Sequence, residues 1–289
     1  MTRIENYTIG VVDSGLGGLT VMKSLLESYP DNRYLYFGDS GHAPYGGRPV
    51  PEMKALGHRM VDFLAQFHLD ALVLACNTMS SWMPYEFRDR HHIPVIGTIE
   101  AGAREALKAY QDSDHPWTLD HSTPDVGVIG TINTVESGSF QKALFERERN
   151  LYVMGLPCPS IVPVIEKGGC NHLGYQEAVD KDLASWQGQV PPIVILGCTH
   201  FPIARREIQT FVGENVRLVD PAKGMVEDLA RKLERAPDKE APSKGPAYTF
   251  FTSGDAKIME DMLPCLLGDL LDGRDYDIVH EPLDGPVDE

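Results

Sequence analysis

The 289-residue chain is 42% hydrophobic and 24% charged, ordinary for a globular protein long enough to bury a substantial core and form about two domains. Its formal net charge of −16 excludes the basic surface that nucleic-acid phosphates or an anionic membrane require, although helix N-termini can still serve a small anion. Five cysteines, an odd number, form no disulfide framework, and no apolar run has signal-peptide or transmembrane character, so a reduced, cytoplasmic setting is expected.

Residues 9–12 read as a short strand running into Asp13-Ser14-Gly15-Leu16-Gly17-Gly18, where glycines let backbone amides approach a ligand. Apolar residues at helical spacing, from Leu16 through Leu19, Met22, Leu25 and Leu26 to Tyr29, predict the helix that follows. Residues 34–37 form a second strand. The loop 38–48 after it is too polar and glycine-rich for core, which places it at a cleft. Met53, Leu56, Met60, Leu64 and Phe67 mark another helix. Next comes the apolar run 72–75, closed by Cys76-Asn77-Thr78, and then a strand at 94–97. Wholly apolar strands alternating with helices predict an α/β fold with a parallel sheet.

Residues 110–125, rich in Asp, Ser, His and Pro, are a connection without periodicity, and then the pattern restarts. Val126-Gly127-Val128-Ile129 repeats Ile9-Gly10-Val11-Val12, and the segment ending at Gly155 repeats the one ending at Gly38, both at an offset of 117 residues. Val194-Ile195-Leu196-Gly197-Cys198-Thr199-His200 repeats the first cysteine segment, and Gly224 repeats Gly102, both at an offset of 122. Two offsets differing by a small insertion indicate an internal duplication. The expected architecture is two similar α/β domains with mainly parallel sheets, related by a pseudo-twofold axis around a shared cleft. Residues 234–246 read as a linker, 248–252 as a strand, and 258–271 as a helix kinked at Pro264. The tail from Pro282 is expected to be mobile. The domain division expected is 1–99 plus 221–289, with the C-terminal segment returning to the first domain, and 100–220 for the second.

Ligand crevices in open α/β sheets lie beyond the carboxyl ends of the strands, where Cys76 and Cys198 stand. Neither belongs to a C-x-x-C pair, which disfavours metal binding and dithiol redox chemistry. Acid/base work by two thiols facing each other remains, and helix N-termini would allow a thiolate at modest cost. Cys158, Cys170 and Cys265 lack symmetric partners and read as small core filler. Asp13 either caps the next helix or serves the cleft, and His200, two residues past a thiol, is placed to tune or relay its proton. Asn77, Thr78, Thr131, Thr134 and Thr199 offer short hydrogen-bonding side chains at strand exits, suited to a polar ligand such as an amino acid.

Over essentially its whole length the chain resembles the cofactor-independent glutamate racemases. The resemblance rests on Val12-Asp13-Ser14-Gly15-Leu16-Gly17-Gly18, Pro44-Tyr45-Gly46, Ala75-Cys76-Asn77-Thr78 and Val128-Ile129-Gly130-Thr131. Val162-Pro163-Val164-Ile165-Glu166 and Leu196-Gly197-Cys198-Thr199-His200-Phe201-Pro202 complete it. It implies that Cys76 and Cys198 flank the α-carbon of glutamate as the two catalytic bases, the first acting on the D-form, with Asp13 and His200 as helpers. It further implies substrate contacts from Asp13, Ser14, Pro44, Tyr45, Gly46, Asn77, Thr78, Thr131, Thr134, Glu166, Thr199 and His200. No cofactor and no metal is implied, glutamate is the expected partner, and a homodimer is expected. D-glutamate made this way would feed peptidoglycan synthesis. Met79, where the family has a small residue, is expected to narrow the pocket. A related racemase acting on aspartate or another acidic substrate, and a non-catalytic protein that binds an acidic amino acid, are the alternatives.

Overall fold

Short apolar runs become strands buried on both faces, as a parallel sheet covered by helices requires. The computed structural model describes residues 4–112, 123–234 and 246–283. The first stretch gives β1 (Thr8–Asp13), α1 (Leu19–Ser28), β2 (Arg33–Gly38), α2 (Val50–Ala65), β3 (Ala71–Leu74), α3 (Asn77–Trp82), α4 (Pro84–His91), β4 (Val95–Gly97) and α5 (Thr98–Gln111). The second opens with β5 (Val126–Gly130), α6 (Ile132–Glu136), α7 (Ser139–Arg147), β6 (Val153–Pro157), α8 (Ile161–Gly168) and α9 (Tyr175–Leu183). It continues with β7 (Ile193–Gly197), α10 (Arg205–Val212), β8 (Arg217–Val219) and α11 (Pro221–Leu233). The third adds β9 (Tyr248–Thr252), α12 (Ala256–Leu266) and β10 (Tyr276–His280).

The strands form two sheets, in the orders β10-β9-β2-β1-β3-β4 and β6-β5-β7-β8, with parallel pairing between neighbours. The run β2-β1-β3-β4 has the same order as β6-β5-β7-β8, so the sequence repeat is a repeat of topology. The expected fold class holds: mixed α/β with two parallel sheets of like connectivity.

Several expectations are corrected. Spacing from Leu16 predicts the first helix, but α1 begins at Leu19 because Leu16 belongs to the glycine loop and its amide bonds Glu166. Helix α5 runs through Tyr110 to Gln111, so the connection starts later. Residues 113–122 of that connection, 235–245 of the linker and 284–289 of the tail lie outside the described residues. The start of the tail is packed: Leu283 is buried and its carbonyl accepts from Arg59 Nη1 at 3.1 Å. Strand β10 has no counterpart among the predicted elements, since Tyr-Asp-Ile-Val-His at an exposed sheet edge shows no clean apolar run. Cys158 is buried as expected, but Cys170 and Cys265 are not isolated filler. They form a disulfide with Cα atoms 6.5 Å apart, and Cys265 is exposed.

The aligned glycines Gly102 and Gly224 lie where α5 and α11 pack against each other. A Cβ on Gly224 would come within 2.8 Å of the Ala101 carbonyl oxygen, a backbone atom that cannot turn aside. Close approach of the two helix backbones therefore requires glycine there. Gly224→Ala is expected to cost about 1–3 kcal/mol through overpacking, read as a lower urea midpoint at unchanged denaturant slope.

Candidate active site

The sheets deliver the chemistry-bearing residues to one place through their carboxyl ends. Asp13 is the last residue of β1, Cys76 follows β3, Thr131 follows β5 and Cys198 follows β7. Cys76 and Cys198 are 4% and 6% exposed, and both line one nearly closed cavity of about 10 Å³. Ser14, Pro44, Tyr45, Gly46, Asn77, Thr78, Thr131, Thr199 and His200 line it with them. Asp13, Thr134 and Glu166 stand behind this lining and bond to its members. Larger hollows, of about 750 Å³ beside Arg88–Pro94 and about 520 Å³ beside Glu100 and Arg147, hold none of the thiols. Chemistry rather than volume singles out the small cavity.

Each thiol has its own partner. Cys76 Sγ donates to Ser14 Oγ at 3.5 Å. Burial pushes the Cys76 thiol up to about 12, and the nearby Asp13 charge adds to the rise. This corrects the expectation of an easily formed thiolate: desolvation outweighs the helix N-terminus here. Asp13 does not cap α1, whose N-cap position is Gly18 with no side-chain bond. Its fully buried carboxylate accepts from the Gly15 amide at 3.0 Å and from Thr199 Oγ1 at 3.1 Å, and burial raises its pKa.

Cys198 Sγ lies 3.7 Å from His200 Nδ1, and His200 Nε2 is paired with Glu166 Oε1 at 2.5 Å. Burial by itself would depress His200, but the Glu166 carboxylate, with Cys198, carries its pKa well above the usual value. Glu166 is held low in turn, the imidazolium overriding its own burial. His200 beside Cys198 is thus pushed toward its charged form, whereas Asp13 near Cys76 is pushed by burial toward its neutral one.

The glycine loop serves the packing of the two halves as much as any ligand. A Cβ on Gly17 would lie 2.5 Å from both His200 Nδ1 and Thr199 Oγ1, so glycine is needed for the second half to reach the first. The Leu16 amide donates to Glu166 at 3.1 Å. Across the cleft Thr78 Oγ1 bonds Thr131 Oγ1 at 3.0 Å and Thr134 Oγ1 at 3.4 Å, and the latter two bond each other at 3.0 Å. Asn133 Nδ2 donates to the Tyr45 and Arg48 carbonyls, fixing the Pro44-Tyr45-Gly46 loop to α6. Asn77 is buried at 3% exposure and its Oδ1 has no hydrogen-bond partner, which marks a place for a donor from a ligand.

Two residues escape sequence reasoning. Val162 of α8 lines the cavity. Asp39, fully buried at the end of β2, accepts from Tyr45 OH at 2.5 Å and from Ser253, and pairs with His42 Nδ1 at 2.8 Å. Its signal was present: Asp39 follows its strand into a glycine-rich loop, much as Asp13 ends its own. Met79, expected to narrow the pocket, instead points into the core, where its methyl packs toward Gly57 of α2.

The family profile described as Asp/Glu/Hydantoin racemase matches residues 9–229. The chain is 34% identical over 263 residues to the glutamate racemase of Enterococcus faecalis, covering 90% of this chain and 92% of that one. It is 33% identical over 254 residues to that of Listeria monocytogenes, covering 88% and 91%. A crystal structure of a glutamate racemase isoform from Bacillus anthracis superposes with a TM-score of 0.81 at 32% identity, covering 97% of this chain and 99% of that one. A Francisella tularensis glutamate racemase in complex with D-glutamate gives 0.78 at 26% identity, with coverage of 97% and 99%. Sequence, topology and the paired cysteine boxes agree: the chain belongs to the Asp/Glu/hydantoin racemase family.

Proposed function

We propose that this chain is a cofactor-independent glutamate racemase in which Cys76 and Cys198 act on opposite faces of the substrate α-carbon. One observation carries the reading: two thiols at equivalent exits of two like sheets line one small cavity. One thiolate withdraws the α-proton and the opposite thiol returns one, so the product is the mirror image of the substrate. Without an electron sink the carbanion-like transition state needs fixed donors, which loop amides and the threonine hydroxyls can supply. Asn77 Oδ1 suits the ammonium group. His200 Nδ1, 3.7 Å from Cys198 Sγ, is placed to exchange a proton with it. Asp13 is suited to take the proton that Cys76 must shed before acting as base. A cavity of about 10 Å³ is too small for an amino acid, so admitting substrate requires the cleft to widen.

D-glutamate for peptidoglycan is the product this reading assigns. The division into domains 1–99 plus 221–289 and 100–220 belongs to it as well, supported by one sheet drawn from residues 8–97 and 248–280 and another from 126–219. Among the described residues no helix is long and apolar enough to cross a membrane. A cytoplasmic setting and a homodimer complete the proposal, the dimer to be read by light scattering. Purified protein incubated with L-glutamate and no added cofactor is expected to bring the circular dichroism of the solution to zero. In deuterated water the D-glutamate formed should carry deuterium at Cα. A signal that persists while glutamate binds would reject catalysis in favour of a binding protein.

A further inference from the structure

Beside the closed cavity lies a second hollow of about 360 Å³ that shares Pro44 and Val162 with it. One wall is α8, through Val162, Glu166 and Lys167, and the opposite wall is the start of α12, through Asp255 and Ile258. This vestibule adjoins the thiol cavity through Pro44 and Val162, and both α8 and the start of α12 line it. The two helices are joined at their far ends. Cys170, two residues beyond α8 in the 3-10 turn Gly169–Asn171, forms a disulfide with Cys265 in the last turn of α12. The same turn packs on Met262 of α12, with Cys170 Sγ 3.9 Å from its sulfur. Helix α8 also carries Glu166, which holds His200 and the Leu16 amide, so movement of α8 reaches the chemistry directly.

We propose that Cys170 and Cys265 are a thiol–disulfide switch governing access to the cleft. In a reducing compartment the pair stands as two thiols and α8 is released from α12; on oxidation the bond ties the vestibule walls together and slows opening. Cys265 is exposed and starts the exchange. Its thiolate attacks a small-molecule disulfide of the glutathione type, releasing one small thiol and forming a mixed disulfide. Cys170 then attacks the Cys265 sulfur and releases the second small thiol. Two electrons pass to the small disulfide, and the two protons leave on its thiols.

This inference rests on the racemase reading for its activity readout and on an independent measurement for the clasp. Wild-type protein and Cys265→Ser are each treated with dithiothreitol or glutathione disulfide, with disulfide formation checked by the mass loss of two hydrogens. Oxidised wild type is expected to show kcat lowered about fivefold or more, restored by dithiothreitol, while Cys265→Ser keeps the reduced-enzyme rate under both treatments. Equal kcat and KM for the two wild-type forms overturns the switch. So does an equal loss in Cys265→Ser, which would assign the oxidation to the cleft thiols. Amide hydrogen exchange across residues 161–168 should be slower in the oxidised form. If neither form racemises, the functional reading fails by itself, and equal exchange rates would then overturn the clasp.

Discussion

Replacing either Cys76 or Cys198 with alanine is expected to lower racemisation by about 10³-fold or more, because each enantiomer needs one base and one acid on opposite faces. The fold should survive: both side chains are small, and far-ultraviolet dichroism is expected to match wild type. Each variant keeps one thiol and so retains half of the chemistry. Cys76→Ala and Cys198→Ala should each still eliminate a leaving group from a suitable substrate analogue of one handedness, and the two should choose opposite hands. The pairing of partners sharpens this expectation. Cys76, held up to about 12 by burial and Asp13, favours its protonated form, whereas Cys198 Sγ lies 3.7 Å from His200 Nδ1. A single variant that racemises near the wild-type rate contradicts the two-base assignment.

His200→Asn should damage both stability and turnover. It leaves the Glu166 carboxylate buried without its cation, a change that costs about 3 kcal/mol or more and is measurable by denaturant unfolding. It also removes the charge next to Cys198. The stability gap between wild type and variant depends on pH in a defined sense. His200 is raised above 6.5, so its contribution is complete below about that value and is lost as pH rises through its elevated folded pKa. Glu166 is depressed below 4.5, so its contribution is present above that value and is lost as pH falls through its lowered folded pKa. The gap is therefore widest between these reference values, persists through neutrality and closes in alkali. Melting scans from mildly acidic to alkaline buffers would read it, and a gap that grows with alkalinity would refute the ion pair.

The parallel sheets were legible because doubly buried strands leave continuous apolar runs, and the duplication was legible because the repeats keep their spacing. Cys76 and Cys198 stood out for the same reason, since a strand exit carrying a thiol occurs in both halves. What escaped depends on long-range packing. Asp39 has His42 and Tyr45 close by in the chain, but Ser253, its third partner, reaches it from 214 residues away. The disulfide joins cysteines separated by 95 residues, and no local pattern marks either one. Met79 could be judged for size but not for direction, and its direction is set by the turn of α3 against α2. The shift of Cys76 was also beyond reach, because it comes from burial by both halves together.

The three hydroxyls of Thr78, Thr131 and Thr134 close a ring in which any member can give or receive the proton. Such a ring has two senses of circulation, and passing from one to the other needs only rotations about C–O bonds, with every carbon and oxygen left in place. A ligand and its reflection approach this wall with their polar groups differently disposed. On the proposed reading, reversing the circuit would let the same hydroxyls meet either hand of the ligand without a second pocket.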